Sequence, residues 1–269
     1  MSDHELNPYD PTQREAMASM NQNQRDFFVQ NGFVNLGQLL DPTEVGYFDD
    51  LFEQDRKTYP YFWQDYGHHQ ETNYDALITT PQFDELIRHP KLMPTITELM
   101  GGPTCFGEIG LRWMGPYAGQ FHQGWHRDKP HWLEHPLRMD YIQLMVYLSD
   151  VDEQTHCFSI SPEALDQPIL KDKEAQLRRG GVYDLHGPAG TCALFNVSVL
   201  HTATTRPTQA IRKTVQIYYG HRQRPYLAND SGIPTSFWRD HADAETRAFY
   251  GVLNERTRLY MAAFGQAGN

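Results

Sequence analysis

Only three cysteines, Cys105, Cys157 and Cys192, occur in 269 residues, far apart and with no CxxC pair. That spacing excludes a disulfide framework and a thiolate zinc cluster; it fits a reducing compartment, and a cytoplasmic location is expected. Basic residues are also under-represented: 23 Lys and Arg stand against 34 Asp and Glu, a formal charge of −11. Most of such a surface repels a nucleic-acid backbone, and it disfavours a phosphate-rich substrate such as a coenzyme A ester unless a local basic pocket intervenes. Long apolar runs are missing too. Nothing approaches the roughly 18 consecutive apolar residues of a membrane span, and the polar, acidic opening MSDHELNPYDPTQ has no apolar segment of the kind a secretory signal needs. Neither nucleic acid nor membrane is an expected partner. Internal repeats and low-complexity linkers are absent, so the reading is one domain over residues 1–269, with residues 1–20 as a loose arm.

What is present is apolar mass and punctuation. Hydrophobic residues make up 39% and aromatics 13%, including 15 Tyr and 14 Phe, enough for a sizeable core or a barrel interior. In the first third, a helix ends at Phe27, Phe28 and Val29 and stops at Asn31-Gly32, and a short strand follows through Phe33, Val34 and Leu36. Asp41-Pro42-Thr43 reads as an N-cap with proline at the first helical position, and Val45, Phe48, Leu51 and Phe52 form the buried stripe of the helix it opens. PQFDELIRHPKLMPTITELMGG gives two helical pieces, broken by Pro90 and closed by Gly101-Gly102. The aromatic crowd between Thr58 and His69 has no period and reads equally as packing or as a substrate-facing loop. Beyond Gly102 the runs CFGEIGLRW, DYIQLMVYLS, TCALFNVSVL and KTVQIYYGHR are apolar or alternating and rich in β-branched and aromatic residues, hence strands. A tail helix over 242–264 completes a chain that is mainly β with flanking helices.

Four histidines, His122, His126, His131 and His135, crowd the stretch around GWHRDKPHW. The pairs His122/His126 and His131/His135 have the spacing of helical zinc ligands, but neither pair carries the Glu of HExxH, and Gly119, Gly124, Pro130 and Pro136 break any helix there. In extended backbone, residues two apart share a face, which makes His126 and Asp128 a two-ligand claw. His201, at the end of TCALFNVSVL, is the third candidate, against the ordinary reading of a core histidine satisfied by a carbonyl. Two histidines and a carboxylate form the facial triad of non-haem Fe(II) oxygenases, with open positions for cosubstrate and O2. At the head of the next strand, Arg212 is placed to anchor the distal carboxylate of 2-oxoglutarate, with Arg206 and Lys213 as rivals. By alternation Arg212, Thr214, Gln216 and Tyr218 share one face and Lys213, Val215, Ile217 and Tyr219 the other, so only one of Arg212 and Lys213 points inward.

These residues together resemble the phytanoyl-CoA dioxygenase-like (PhyH) family of Fe(II)/2-oxoglutarate oxygenases. WHRD is similar to that family's HxD element, LFNVSVLHTAT to its distal-histidine strand, and Arg212 stands at the spacing of its 2-oxoglutarate arginine. FFVQNGFVNLGQLLDPTEV and DALITTPQFDELIRHPKLMPTITELMGG are similar to its N-terminal region, so the likeness runs from about Arg25 to Arg222. The resemblance implies a double-stranded β-helix, a cupin-like jelly roll, with Fe(II) on His126, Asp128 and His201. It further implies cosubstrate or substrate contacts from Gln143, and from Arg112 or Tyr117. One departure is Ala203, where a small hydroxyl residue commonly helps to hold 2-oxoglutarate; Thr202 or Thr204 is the substitute. His122, His131 and Trp132 are the substrate-side candidates, with packing as the commoner role for Trp132. The implied reaction couples decarboxylation of 2-oxoglutarate by O2, giving succinate and CO2, to hydroxylation of an unactivated C–H in a small-molecule metabolite, with ascorbate as assay reductant. Desaturation or ring closure is the variant outcome, and the retained Asp128 speaks against halogenation. Two other classes remain: a catalytically silent jelly-roll binding module, and a cupin-type metal-dependent isomerase or hydrolase. The acidic composition and aromatic-rich mouth point to a neutral or cationic substrate.

Overall fold

A computed structural model describes residues 20–263. Residues 1–19 of the loose arm, and Phe264 at the end of the tail helix, lie outside the described residues. The chain opens with α1 (Gln22–Asn31), β1 (Phe33–Gln38), α2 (Pro42–Thr58), β2 (Gln64–Asp65) and β3 (Glu71–Asn73). Short helices α3 (Ala76–Thr79), α4 (Asp84–Ile87) and α5 (Met93–Met100) lead into the long β4 (Thr104–Met114). Then come β5 (His122–Gln123), β6 (Tyr141–Tyr147), β7 (Cys157–Ile160), α6 (Lys173–Gly180), β8 (Tyr183–Leu185), β9 (Thr191–Asn196), β10 (His201–Thr205) and β11 (Arg212–His221). The chain closes with α7 (Thr235–Trp238), α8 (Ala244–Tyr250) and α9 (Glu255–Ala263).

Local chemistry accounts for the helix ends. The Asn21 and Asp41 side chains each accept a backbone N–H from three residues on, while Gln24 and Glu44 reach back to the cap, a reciprocal pair of bonds at both N-termini. Gly32 ends α1 at φ 73°, a left-handed backbone that costs a glycine little, and its N–H bonds to the Phe28 carbonyl. The tail is not one helix. α8 stops at Tyr250, and Asn254 then caps α9 through Thr257 N–H (2.9 Å) while its amide nitrogen is held by the Ser231 carbonyl (2.7 Å). A cap fixed to another loop overrides the helical propensity that suggested continuity.

Two antiparallel sheets face each other: a seven-stranded one in the order β1-β9-β6-β11-β4-β3-β2 and a four-stranded one in the order β5-β10-β7-β8. This is the jelly-roll layout. The larger sheet buries one face under the helices, where Ile109, Leu111, Ile142, Leu144, Val146, Leu194, Val215, Ile217 and Tyr219 join Phe48, Phe52, Phe83 and Ile96 in one core. Each fully buried large apolar side chain there contributes about 1.5–3 kcal/mol. Side chains alternate in a strand, so Arg212, Thr214, Gln216 and Tyr218 of β11 occupy the opposite, inter-sheet face. In register with them stand Met114, Arg112, Gly110 and Glu108 of β4, and Tyr147, Met145 and Gln143 of β6. A polar chamber thus lies between the sheets.

Candidate metal centre

The antiparallel register that pairs Thr204 with Gln123 and Thr205 with His122 continues as an isolated bridge between His201 and His126, with N–H···O bonds of 3.0 Å both ways. His126 therefore lies beyond β5, in extended backbone that is not a continuous strand, and it is the direct cross-strand partner of His201. Asp128, two residues on, bonds its N–H to the Val197 carbonyl at 3.1 Å. The result is a compact group: Asp128 Oδ1 stands 3.3 Å from His126 Nε2 and 3.4 Å from His201 Nε2, and the two rings are 4.5 Å apart. Each imidazole bonds through Nδ1 to the carbonyl two residues back, His126 to Gly124 and His201 to Val199, both at 2.8 Å. A carbonyl only accepts, so Nδ1 carries the proton and Nε2 presents its lone pair inward, the tautomer a metal requires.

The donor set fits a divalent cation of the iron type. Asp128 Oδ2 is buried with no hydrogen-bond partner. Burial pushes the Asp128 carboxyl up, but His201 and His126 more than reverse this and hold it well below the usual carboxylate range, so it is an anion ready to ligate. Asp128 in turn raises His126. The His201 side chain is 3% exposed and that of His126 48%, so the centre opens on the His126 side.

Arg212 is buried on the inter-sheet face. Its Nη1 lies 3.2 Å from Met114 Sδ and 3.4 Å from the Cys157 carbonyl, the guanidinium carbon is 5.6 Å from the Tyr147 ring centre, and Nε has no partner. Among the described residues it meets no carboxylate. Of its rivals, Arg206 is engaged by Asp184 (2.9 Å) and Cys157 Sγ (3.3 Å), and Lys213 emerges on the helical side, paired with Asp49 and Glu53. Cys157 and Ile160 stand at opposite ends of β7, roughly 10 Å apart, and Ile160 is the register partner of His201. Arg212 and His201 therefore approach opposite ends of β7. Gln143 is buried on the same face with Nε2 unpaired.

The other sequence candidates are scattered. Thr204 alternates onto the face of β10 opposite His201, where its hydroxyl meets Ser159 (2.5 Å) and Gln123 Nε2 (2.9 Å), so it does not stand in for the hydroxyl missing at Ala203. Thr202, on that same face, accepts Gly124 N–H at 2.9 Å. Tyr117 sits in a rim turn bridged to Thr208, its ring 4.9 Å from His69. His122 is exposed at the mouth and stacks on His68 at 5.0 Å. Trp132 packs in a cluster with His135, His221 and Arg224, whose guanidinium lies 4.4 Å over its ring. His131 turns inward, 3.7 Å from Glu163 Oε1, a carboxylate already paired with Arg127 (2.6 Å).

Burial, with the Arg127 and Arg138 charges, pushes His131 down to about 4 from its ordinary 6.5. Between those two values the unfolded chain takes up a proton that the folded chain refuses, so stability is full above the upper value and falls as pH drops toward the lower. We expect the melting temperature to fall over this window and His131→Gln to flatten the fall; an equal slope in both proteins would rule the residue out as its source.

Sequence reading passed over several residues that line the chamber. Glu108 and Tyr218 are buried register partners on its floor, and burial raises both groups well above their usual ranges, Asp230 adding to the first and Asp128 to the second. His68 and His69 hold positive φ, 49° and 58°, in the β2–β3 turn, and a Cβ at Gly124 would collide with the His68 ring. Positive φ at a pair of histidines has no periodic signature. The inward alternation of CFGEIGLRW was available, and it marks Glu108 with Arg112.

Fold and site together define a jelly-roll chain with a His-Asp-His group that could hold a metal ion and a buried arginine on the inter-sheet face. The chain belongs to the phytanoyl-CoA dioxygenase family, which it matches over residues 28–214. Solved structures agree on the fold. The 2-oxoglutarate-dependent carbocyclase SnoK of nogalamycin biosynthesis aligns with a TM-score of 0.63 at 16% identity over 77% of this chain and 86% of its own. The epimerase SnoN, solved with Fe3+, 2-oxoglutarate and a nogalamycin derivative, aligns with a TM-score of 0.64 at 16% identity over 92% and 98%. HygX from Streptomyces hygroscopicus, solved with nickel and 2-oxoglutarate, aligns with a TM-score of 0.61 at 17% identity over 86% and 94%. No curated protein matches the chain in sequence. Among the described residues no helix is long and apolar enough to cross a membrane.

Proposed function

We propose that the protein is an Fe(II)- and 2-oxoglutarate-dependent oxygenase that hydroxylates a C–H bond of a small molecule, with His126, Asp128 and His201 as metal ligands and Arg212 as the cosubstrate anchor. Family membership supports the class, and SnoN and HygX carry 2-oxoglutarate in this fold. The observation that carries the reading is Arg212, a buried guanidinium with no anionic partner among the described residues, set against one end of β7 while His201 pairs with the other. Burying an unpaired cation is costly, and a bound carboxylate removes the cost.

When bound, iron with 2-oxoglutarate and O2 supplies the oxidising power, with succinate and CO2 as by-products. The chain's own residues bind and orient. Gly124 and Val199 carbonyls fix both imidazoles, Arg212 sets the direction of the diacid, and Gln143 offers its free amide N–H to an acceptor beside the metal. Phe158 and Phe195, with rings 5.4 and 4.9 Å from His201, keep water from that side. Hydroxylation is the outcome proposed; SnoK and SnoN, a carbocyclase and an epimerase, define the variants to be distinguished from it.

The test is succinate formation by purified protein with Fe(II), 2-oxoglutarate, ascorbate and O2 against a panel of small metabolites, with the product analysed for one added oxygen. Succinate with an unaltered product mass would indicate an epimerase-like outcome. No cosubstrate binding and no succinate across the panel would overturn the reading in favour of a binding module or a cupin-type hydrolase.

A further inference from the structure

A second arginine lies on the same inter-sheet face with its donors unspent. Arg112 is 4% exposed, and Nε and Nη1 have no hydrogen-bond partner. Its Nη2 donates to the Tyr74 hydroxyl at 2.7 Å, and the guanidinium carbon lies 3.9 Å from the ring centre of Tyr66 and 4.9 Å from that of Tyr74. The Tyr66 ring lies against the guanidinium and the Tyr74 hydroxyl takes its Nη2 edge, which leaves Nε and Nη1 as the unused donors.

Arg112 does not serve the Arg212 site. The two side chains leave the sheet in different directions, Arg212 toward Tyr147 and the Cys157 carbonyl, Arg112 toward Tyr66 and Tyr74 beside the β2–β3 edge. In cross-strand register with Arg112 stand Thr72 and Thr214, and both hydroxyls are buried and unpaired. On its own strand the next inward position is Gly110, where an added Cβ would stand 3.2 Å from Arg112 Nε and 3.6 Å from the Tyr74 ring. A side chain at residue 110 would crowd Nε, so the glycine leaves that edge of the guanidinium without a covering side chain from its own strand. Glu108, one inward position further, attracts Arg112 through charge but makes no direct hydrogen bond to it. Buried donors this numerous call for acceptors that the chain does not supply, and a ligand carboxylate offers them.

We propose that Arg112, Tyr66 and Tyr74 form the docking site for a carboxylate on the primary substrate, which is therefore a small carboxylic acid and not the neutral or cationic molecule that bulk composition suggests. The inference rests on the oxygenase reading above. A carboxylate here would accept from Nε or Nη1 and from Thr72, with its carbon skeleton directed past Gly110 toward Glu108, Tyr218 and the metal.

The test uses the full chain loaded with redox-inert Ni(II) and 2-oxoglutarate. Calorimetric titration with proline, pipecolate, benzoate and phenylacetate is compared with titration of their methyl esters, in the wild type and in Arg112→Gln. At least one acid should bind the wild type, with its ester about tenfold weaker or more, and Arg112→Gln should lose about tenfold or more of the acid's affinity while binding 2-oxoglutarate within about threefold of wild type. If Arg112→Gln does not fold, Tyr74→Phe, which removes only the hydroxyl that orients Nη2, should weaken the acid about threefold or more. The proposal is overturned if no acid of the series binds, if acid and ester bind alike, or if Arg112→Gln loses 2-oxoglutarate itself. Failure of the wild type to bind 2-oxoglutarate would overturn the oxygenase reading, and this inference with it.

Discussion

Arg212→Met is expected to have two opposite effects, a higher melting temperature for the protein alone and a severe loss of 2-oxoglutarate binding. The guanidinium is fully buried among Met114, Met145, Tyr147 and the Cys157 carbonyl, and burial draws its pKa down. Methionine fills similar volume among two methionines and removes an uncompensated charge, which stabilises the ligand-free fold. The same change removes the partner of a buried carboxylate, a loss of about 2–5 kcal/mol, or roughly 30- to 4,000-fold in affinity. Calorimetry measures the affinity, and thermal scans with and without cosubstrate measure the stability. In the wild type 2-oxoglutarate at a hundred times its Kd should add about 2.7 kcal/mol of stability, and in Arg212→Met that increment should fall to about 0.9 kcal/mol or less. Lys213→Met is the control, since Lys213 pairs with Asp49 and Glu53 on the helical face; its 2-oxoglutarate affinity should stay at the wild-type value. A wild-type cosubstrate affinity in Arg212→Met would end its assignment as the anchor.

Asp128→Ala should abolish turnover, by on the order of a thousandfold or more, equivalent to about 4 kcal/mol of barrier. Asp128 is the only carboxylate in the group and the shared neighbour of both imidazoles, so its removal leaves two neutral ligands with no anion to offset a divalent charge. Metal affinity, measured by equilibrium dialysis with Fe(II) under anaerobic conditions, should fall with the rate. Full iron occupancy with undiminished succinate formation in the variant would show that the metal is held elsewhere. Cys157, Asp184 and His186 form the other group of possible ligands among the described residues, and Arg206 already occupies it as a cation.

Much of this site could be read from local pattern. The order HxD, distal histidine, arginine survives in one dimension, and alternation alone divided β11 into the set with Arg212 and the set with Lys213. Strand period is a property of neighbouring residues, so it is visible without the partner strands. The same rule places Glu108 and Arg112 on one face. What pattern did not carry was which face looked into the chamber, because that depends on where the helices dock: Val215, Ile217 and Tyr219 meet Phe48, Phe83 and Ile96, residues more than a hundred positions away.

The histidine crowd marks the boundary between the two kinds of information. His126, His131 and His135 are alike in local sequence, each within a few residues of a Gly, Pro or Trp, and only partner choice separates them. The β5–β10 register sets His126 opposite His201, the His131 side chain is buried 3.7 Å from Glu163, and the ring of Trp132 covers His135. The sequence by itself determined the class of fold, the residue types of the metal group and the pairing of Asp128 with His126, since these follow from composition, period and i+2 spacing. Only the tertiary structure decided that His201 is the cross-strand partner, that Thr204 faces away and that Arg112 keeps two donors unspent beside Tyr66 and Tyr74. Register and burial are sums over contacts distant in the chain, and no local window contains them.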